Sequence, residues 1–429
     1  MVKVSDKNKA LAKYLFQNQE TFFLMDHYDD DGISHAWLDE DKLAEIIQEF
    51  YDELCWMPLC LDIECTTFNK GNAFDSRNYL VSIHAYNGFE SISFKPDEMD
   101  GVRDLVNNAD VIIFFNGKFD VAWLRKHGVE FEGKKLYDVQ LAHYMLSNQT
   151  HKFPSLNEVC YAHGIPLKTD VVAQYWKDGV QTDQIPWDIL CEYGEGDVTK
   201  TYQCFEKQLP LFSAKKQTLF NLACQDLLIL QEMENNGLFY DKEVCAQKSG
   251  EIQEKVGILL DKLDLVYPDV SINFNSNDQL SAFLYGGTIV VPGKEMVGFY
   301  KTGLKAGQPK YKNTEVEHQL PRLFEPLPKT EMDKKGVYST AEGTLRKLKS
   351  KKHQWILDTL LELSKLTKLD ETYYTGLAKL NAEMHWPPGY LHGQFNQCIT
   401  KTGRLSSSKP NLQNLGGDSL DIFITRYAN

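Results

Sequence analysis

Two acidic side chains, Asp62 and Glu64, stand two residues apart in the apolar segment MPLCLDIE, which has the composition of a buried strand. Side chains two residues apart on a strand point to the same face, so the two carboxylates would lie side by side. Neighbouring carboxylates repel each other, and burying them is costly unless a cation offsets their charge. Carboxylate oxygens are the ligands that Mg²⁺ and Mn²⁺ prefer, so the pair predicts a divalent-metal site.

Three more residues can complete such a site. Asp120 follows the apolar segment DVIIFF by about one helical turn, and Tyr193 and Asp197 stand four residues apart in EYGEGDVTKTYQ, on one face of a predicted helix. Two-metal phosphodiester hydrolysis uses this set, because two ions about 3.5–4 Å apart hold the attacking and leaving oxygens. One carboxylate can bridge the ions, and a tyrosine hydroxyl can orient the attacking water. A lone D-x-E on a strand is more often a strand end with solvated acids, and a lone Y-x-x-x-D on a helix is common by chance. The combination of these segments in this order favours the metal site.

A mixed sheet flanked by helices would position these groups. Residues 56–95 read as three strands, the last two separated by the hairpin signal Asn87-Gly88. Helical and strand patterns then alternate, which predicts an α/β fold. The predicted helices are GVRDLVNNA, Lys118–Lys126, 137–147, 155–163 and 187–207, with a strand at DVIIFF.

The remainder is mainly helical. Long helices are expected over 210–237, ending at Gly237, and over 242–265, with further helices at 340–350 and 353–382. Residues 286–330 are rich in Gly, Lys and β-branched residues and predict a basic hairpin or flap. At the other end, residues 7–53 predict two helices around an acidic turn at 26–32. That turn does not match a calcium loop, because His27 and Leu38 would occupy its first and twelfth positions.

Charge is distributed unevenly along the 429 residues. The net charge is −14, but residues 1–200 carry −16 whereas residues 301–429 carry +7. No apolar run is long enough for a membrane span, and the N-terminus lacks the apolar core of a signal peptide. The nine scattered cysteines favour reduced thiols over a disulfide framework. We therefore expect a cytoplasmic protein without a membrane partner.

Three segments, Asp62-Ile63-Glu64, Asn116-Gly117-Lys118-Phe119-Asp120 and Tyr193-Gly194-Glu195-Gly196-Asp197, resemble the motifs of the DEDDy 3′–5′ exonucleases. This resemblance implies a ribonuclease-H-like fold over 56–207 and two Mg²⁺ or Mn²⁺ ions. It makes Asp62, Glu64, Asp120 and Asp197 the metal ligands, with Asp62 bridging, and Tyr193 the residue that positions the water. It also implies that Asn116 and Phe119 contact the single-stranded 3′ end of DNA. We interpret Asp138 as structural.

The segment TGRLSSSKPNLQN (402–414) resembles a motif of the family-A DNA polymerases, the bacterial polymerase I class. Upstream, LQEMENNGLFYD, SINFNSNDQLSAFLYGG, YSTAEGTLRKL and LSKLTKLDETYYTGL resemble thumb segments of that family in the same order. The resemblance implies that Arg404, Gln413 and Asn414 contact primer–template duplex, with Lys401 and Lys409 nearer its backbone. The implied organisation is an N-terminal helical segment (1–55), the exonuclease (56–207), a mainly helical thumb (208–385) and an incomplete α+β palm (386–429).

The polymerase motifs D-Y-S-x-x-E and H-D-E do not occur in this sequence. We expect either a split polymerase, whose palm and fingers belong to a second polypeptide, or a truncated one, with the phage-like layout favouring the split. The first functional hypothesis is therefore a proofreading 3′–5′ DNA exonuclease. The alternative is a non-catalytic DNA-binding and docking half, with Ile422, Phe423 and Ile424 as an exposed interface. An RNA exonuclease is a weaker third reading.

Overall fold

The structure, a computed structural model, describes residues 27–29, 32–34, 57–167, 170–303, 306–328, 332–333 and 336–425. The helices predicted at 7–53 lie outside these residues. Within that segment, β1 (His27–Asp29) and β2 (Gly32–Ser34) are described and pair antiparallel on either side of the acidic turn. The chain forms two units by contact: residues up to Leu238 with Met384–Asn414, and Phe239–Glu383 with the residues from Leu415 onwards.

A five-stranded mixed sheet lies in the first unit, and its central strand β3 carries Asp62 and Glu64. Strand β3 pairs antiparallel with β4 on one side and parallel with β6 on the other, so the predicted α/β class and mixed sheet are confirmed. The order is β5-β4-β3-β6-β7, and the strands are β3 (Pro58–Cys65), β4 (Leu80–Tyr86), β5 (Ser91–Phe94), β6 (Val111–Phe114) and β7 (Lys135–Asp138).

Helices cover this sheet and bury a core that includes Val102, Trp123 and Val198. They are α1 (Met99–Asn108), α2 (Lys118–Lys126), α3 (Val139–Leu146), α4 (Leu156–Ala162), α5 (Ala173–Lys177), α6 (Trp187–Gln208) and α7 (Ala214–Asn236). The prediction of helix from residue 137 was wrong by two residues, because Tyr137 and Asp138 end strand β7. Helix α7 packs on β7, α2 and α3, so contacts group it with the sheet rather than with the segment expected to begin at 208.

The second unit is mainly helical and has its own core, which includes Phe283, Leu320 and Ile356. The long hairpin β9–β10 lies within residues 286–330, where the sequence predicts a basic hairpin or flap. A π-helical segment, Asp370–Tyr374, interrupts the helix expected over 353–382. The elements are α8 (Lys242–Asp264), α9 (Asn277–Tyr285), β9 (Gly287–Phe299), β10 (Pro309–Leu320), α10 (Glu342–Leu345), α11 (Gln354–Leu369) and α12 (Thr375–Glu383).

Short strands complete the chain: β8 (Leu238–Phe239), β11 (Tyr390–Leu391), β12 (Gln394–Asn396) and β13 (Ser406–Ser408), of which β12 and β13 form a hairpin. The expectation that Ile422 is exposed was wrong. Its side chain is fully buried, and its carbonyl accepts a hydrogen bond from the Asp241 N–H at 2.8 Å within the second unit. Within the described residues, no helix is both long and apolar enough to cross a membrane.

Candidate metal centre

Three of the four predicted carboxylates meet at one point. Single oxygens of Asp62, Glu64 and Asp197 lie within 4.8 Å of one another, the spacing at which one cation can contact all three. Side chains alternate between the two faces of β3, which brings Asp62 and Glu64 together. Leu61 and Ile63 are buried in the core, whereas Asp62 and Glu64 are half-buried on the opposite face. The donor set, three carboxylates and no thiolate or imidazole, fits a hard ion such as Mg²⁺ or Mn²⁺.

Asp120 does not belong to this three-residue cluster among the described residues. It lies in the first turn of α2, is buried, and its Oδ1 accepts a hydrogen bond from the Ile63 N–H at 3.1 Å. That contact holds β3 at the residue between Asp62 and Glu64. Burial raises the pKa of Asp120, and the nearby charges of Asp138 and Asp197 raise it further.

Helix α6 supplies Tyr193 and Asp197, one turn apart on the same face, as the spacing predicts. Burial raises the pKa of Tyr193 well above its usual value, with further increases from Asp197, Glu64 and Asp62. Its hydroxyl therefore stays protonated at neutral pH and can both donate and accept hydrogen bonds. The Trp176 ring packs edge-on against the tyrosine ring at a centroid distance of 5.5 Å.

Close packing of α6 on β4 fixes the position of this pair. A Cβ at Gly194 would lie 2.2 Å from the His84 ring, so only glycine allows the helix to approach this strand. His84 is paired with Asp62 across the β3–β4 ladder. Its ring lies 2.8 Å from Ser93 Oγ and 2.9 Å from Ser82 Oγ, and its burial lowers its pKa to about 4. Sequence reasoning missed this glycine–histidine contact, because nothing local predicts which strand faces α6.

Asp138 organises the backbone next to the site. One of its oxygens accepts the Leu141 N–H at 2.8 Å and caps α3, and the other accepts the Gly117 N–H at 2.7 Å. The second contact fixes the turn at Asn116, whose φ is 60°, immediately before α2. Both contacts are to backbone groups, which supports the interpretation of Asp138 as structural.

A cavity of about 390 Å³ in the first unit brings together three of the residues predicted to contact DNA: Asn116, Phe119 and Lys409. Its lining is rich in amides and aromatic rings and includes the ion pair between Lys118 and Glu234. Lys118 also donates to the Phe395 carbonyl at the start of the β12–β13 hairpin. The sequence motifs predict no role for either partner of this ion pair.

The other predicted DNA contacts do not line this cavity. Lys401, Arg404, Gln413 and Asn414 are exposed around the β12–β13 hairpin and the turn that follows it. They carry the hydrogen-bond donors that contacts to phosphates and base edges require. Their role in DNA binding stays a prediction.

Two family models match the chain. The model described as 3′-5′ exonuclease matches residues 35–210, and the model described as DNA polymerase family A matches residues 307–422. The first match contains all of the predicted metal ligands together with Tyr193. The second contains the TGRLSSSKPNLQN segment.

Curated relatives agree with these matches. DNA polymerase I of Synechocystis sp. is 30% identical over 309 residues, covering 70% of this chain and 26% of the relative. DNA polymerase I of Bacillus subtilis is 28% identical over 311 residues, covering 70% and 29%. The DNA polymerase of Escherichia phage T5 is 25% identical over 426 residues, covering 89% and 43%. The chain thus spans less than half the length of each of these relatives.

A solved structure has a similar fold. It is the POL domain of Pol1 from M. smegmatis, in complex with DNA primer-template and dNTP. The TM-score is 0.58 at 19% sequence identity, over 86% of this chain and 54% of that one. At this identity the similarity concerns the fold alone.

Proposed function

Since this chain belongs to DNA polymerase family A, with a 3′-5′ exonuclease domain at 35–210 and part of the polymerase domain at 307–422, we propose that it removes nucleotides from the 3′ ends of DNA by two-metal hydrolysis. The observation that carries the proposal is the cluster of Asp62, Glu64 and Asp197. Three adjacent carboxylates on a strand and a helix have little structural value without cations. They are well suited to hold ions against a phosphate.

Each residue has a distinct role in this proposal. Asp62, Glu64 and Asp197 would hold the ions, with Asp62 as the ligand that both ions share. Bound Mg²⁺ or Mn²⁺ ions supply the positive charge that a phosphodiester needs and favour ionisation of the attacking water. The protonated hydroxyl of Tyr193 orients that water. Asn116 and Phe119, which both line the cavity of about 390 Å³, hold the terminal nucleotide.

Metal-dependent degradation of a 5′-labelled single-stranded oligonucleotide tests the proposal. Asp62→Ala with Glu64→Ala should abolish the ladder of shortened products in Mg²⁺ and in Mn²⁺, as EDTA should for the unaltered chain. Glu192→Ala is the matched control, because it removes an exposed carboxylate next to Tyr193 on the same helix. Equal degradation by the double variant and the unaltered chain would refute the assignment.

Asp120 needs a test that separates metal binding from positioning. Asp120→Asn keeps an oxygen that can accept the Ile63 N–H but loses the negative charge. If Asp120 is a ligand, as the sequence predicts, the variant should lose activity as severely as Asp62→Ala. If it only holds β3, the variant should keep most of its activity and its metal affinity, whereas Asp120→Ala should lose both.

We also propose that the polymerase-like segment binds primer–template duplex through Arg404, Gln413, Asn414, Lys401 and Lys409. A second polypeptide with palm and fingers stays a prediction, which copurification with a candidate chain would test. The burial of Ile422 removes it from the interface proposed for the docking alternative. We therefore retain the exonuclease as the proposed function.

A further inference from the structure

Among its described residues, the hairpin β9–β10 is anchored in a hydrophobic core only near its base. Near its base, Ile289, Val291 and Leu320 are buried in the core of the second unit. From Gly293 and Thr314 outward, every described side chain on both strands is exposed or half-exposed. Each strand has at least 12 residues, so at about 3.3 Å per residue the ribbon is roughly 40 Å long. We call residues 293–312 the ribbon tip.

The ribbon tip has a net positive charge in its sequence, whereas the chain as a whole has a net negative charge. Its sequence contains five lysines and one glutamate, whereas the whole chain has a net charge of −14. The acidic residues of the ribbon, Glu315 and Glu317, lie nearer the base. The positive charge is therefore concentrated at the end that the core leaves exposed. Four of the lysines, Lys294, Lys301, Lys310 and Lys312, belong to the described residues and are exposed, whereas Lys305 is placed by the sequence alone.

The strand register distributes the three lysines that lie within β9 and β10 over both faces. Lys310 and Lys312 stand two residues apart on one face, and Lys294 pairs with Asn313 on the other, next to Tyr311. Phe299 and Tyr311 are more than half exposed, so aromatic surface alternates with the charges. Lysines interleaved with exposed rings form a surface suited to a phosphate backbone rather than to a protein core.

We propose that the ribbon tip binds the phosphate backbone of duplex DNA. A two-stranded ribbon with its side chains is about 10 Å across, and the major groove of B-DNA is about 12 Å wide. Lysines on both faces can therefore reach the phosphates on either side of the groove. The inference rests on the proposed function in one respect, the choice of DNA as the polyanion. It adds a binding surface separate from the residues of the polymerase motif.

Duplex binding measured against salt tests the proposal. The probe is a fluorescent blunt duplex of about 20 base pairs in EDTA, so that hydrolysis cannot interfere, and salt is varied between about 50 and 200 mM. The test variant changes Lys294, Lys301, Lys310 and Lys312 together to alanine. The slope of log K against log salt counts released counterions at about 0.9 per neutralised phosphate, so we expect the slope to weaken by about 2–4.

Matched variants separate charge from shape. The fourfold Lys→Arg variant keeps the charge and should bind as the unaltered chain does. Glu315→Gln with Glu317→Gln removes acidic charge near the base and should leave binding unchanged or tighten it. Single-strand 3′ degradation by the alanine variant should remain normal. If the unaltered chain shows no such degradation, the result counts against the proposed function. The salt titration of duplex binding can still be interpreted in that case.

Three results would overturn the proposal. An unchanged salt slope in the alanine variant would exclude phosphate contacts by the ribbon tip. Equal losses in the arginine and alanine variants would mean that charge is not what binds. Unchanged duplex binding together with a shift in sedimentation of the alanine variant would instead make the ribbon tip a protein interface.

Discussion

Replacing Gly194 by alanine should disable the candidate metal centre without altering any of its proposed ligands. The added Cβ would lie 2.2 Å from the His84 ring, whereas ordinary contact begins near 3.4 Å, so one of the two must move by about 1.2 Å. The ring is buried and lies within hydrogen-bond distance of two serines on the sheet, so we expect the helix to move. Because α6 carries both Tyr193 and Asp197, they move with it.

The expected effect on rate exceeds the effect on stability. Overpacking costs about 1–3 kcal/mol, and alanine in place of a helical glycine returns about 1 kcal/mol, so the free energy of unfolding should fall by about 0–2 kcal/mol. Misplacing a catalytic group by about 1 Å can lower the rate roughly 100-fold. Single-strand hydrolysis at saturating Mg²⁺ measures the rate, and urea denaturation measures the stability. We expect a large loss in kcat from a protein that remains folded.

Two further variants serve as controls for Gly194→Ala. The His84→Ala variant has no ring at this position, so adding Gly194→Ala to it should lower the rate by no more than about threefold. The difference between the effects of Gly194→Ala with and without the ring measures the coupling between the two residues. Gly257→Ala in α8 adds a methyl group where nothing lies within 4 Å, and it should leave the rate unchanged. A normal rate of DNA hydrolysis by Gly194→Ala, or an equal loss of rate with and without the His84 ring, would refute this steric coupling.

Three further changes test the surroundings of the site. Lys118→Met should leave the buried Glu234 carboxylate without its cation and lower the free energy of unfolding by about 2–3 kcal/mol, with recovery when Glu234→Gln is added; urea denaturation at neutral pH measures both. Asp138→Ala should remove the acceptor of two backbone N–H groups and cost about 2–4 kcal/mol in the same assay, and an unchanged midpoint would contradict its structural role. Burial and two neighbouring histidines lower the pKa of His143 from 6.5 to about 4, so on acidification the unfolded chain takes up the proton first. Stability should therefore be complete above about pH 7 and fall by about 2 kcal/mol by pH 5, and His143→Gln should flatten this dependence in thermal melts across pH.

The parts of the site that the sequence predicts are those set by local periodicity. Strand alternation places Asp62 and Glu64 on one face, and the helical repeat places Tyr193 and Asp197 on one face. Both relations hold whatever the tertiary packing, since they depend only on residues within one element. The onset of α2 at Lys118 was likewise correct, because a turn signal precedes a clear amphipathic pattern.

The parts that the sequence did not predict depend on partners distant along the chain. One such part is the hydrogen bond that an Asp120 oxygen accepts from the N–H of Ile63, 57 residues away, whereas the role of Asp120 as a metal ligand stays a prediction. The end of strand β7 was predicted as the start of a helix. Four residues are too few to establish the repeat of a strand, and Asp138 also caps the helix that follows. The burial of Ile422 depends on backbone pairing with residues near 240, which its own three-residue apolar run cannot reveal.

If the ribbon tip binds duplex DNA as proposed, the net charge of the whole chain is a poor guide to DNA binding. The salt slope of binding counts phosphates neutralised by individual cations, and exposed charges farther away than about 8–10 Å are largely screened at physiological ionic strength. A chain with a charge of −14 can therefore bind duplex if its lysines are concentrated locally, as the five in the ribbon tip are. Part of the acidic excess of residues 1–200 has a different proposed role, since three of these carboxylates form the cluster proposed to hold cations. On this reasoning, neutralising surface acids far from both features should barely change the salt slope, whereas neutralising the ribbon lysines should change it by about 0.9 for each lost contact.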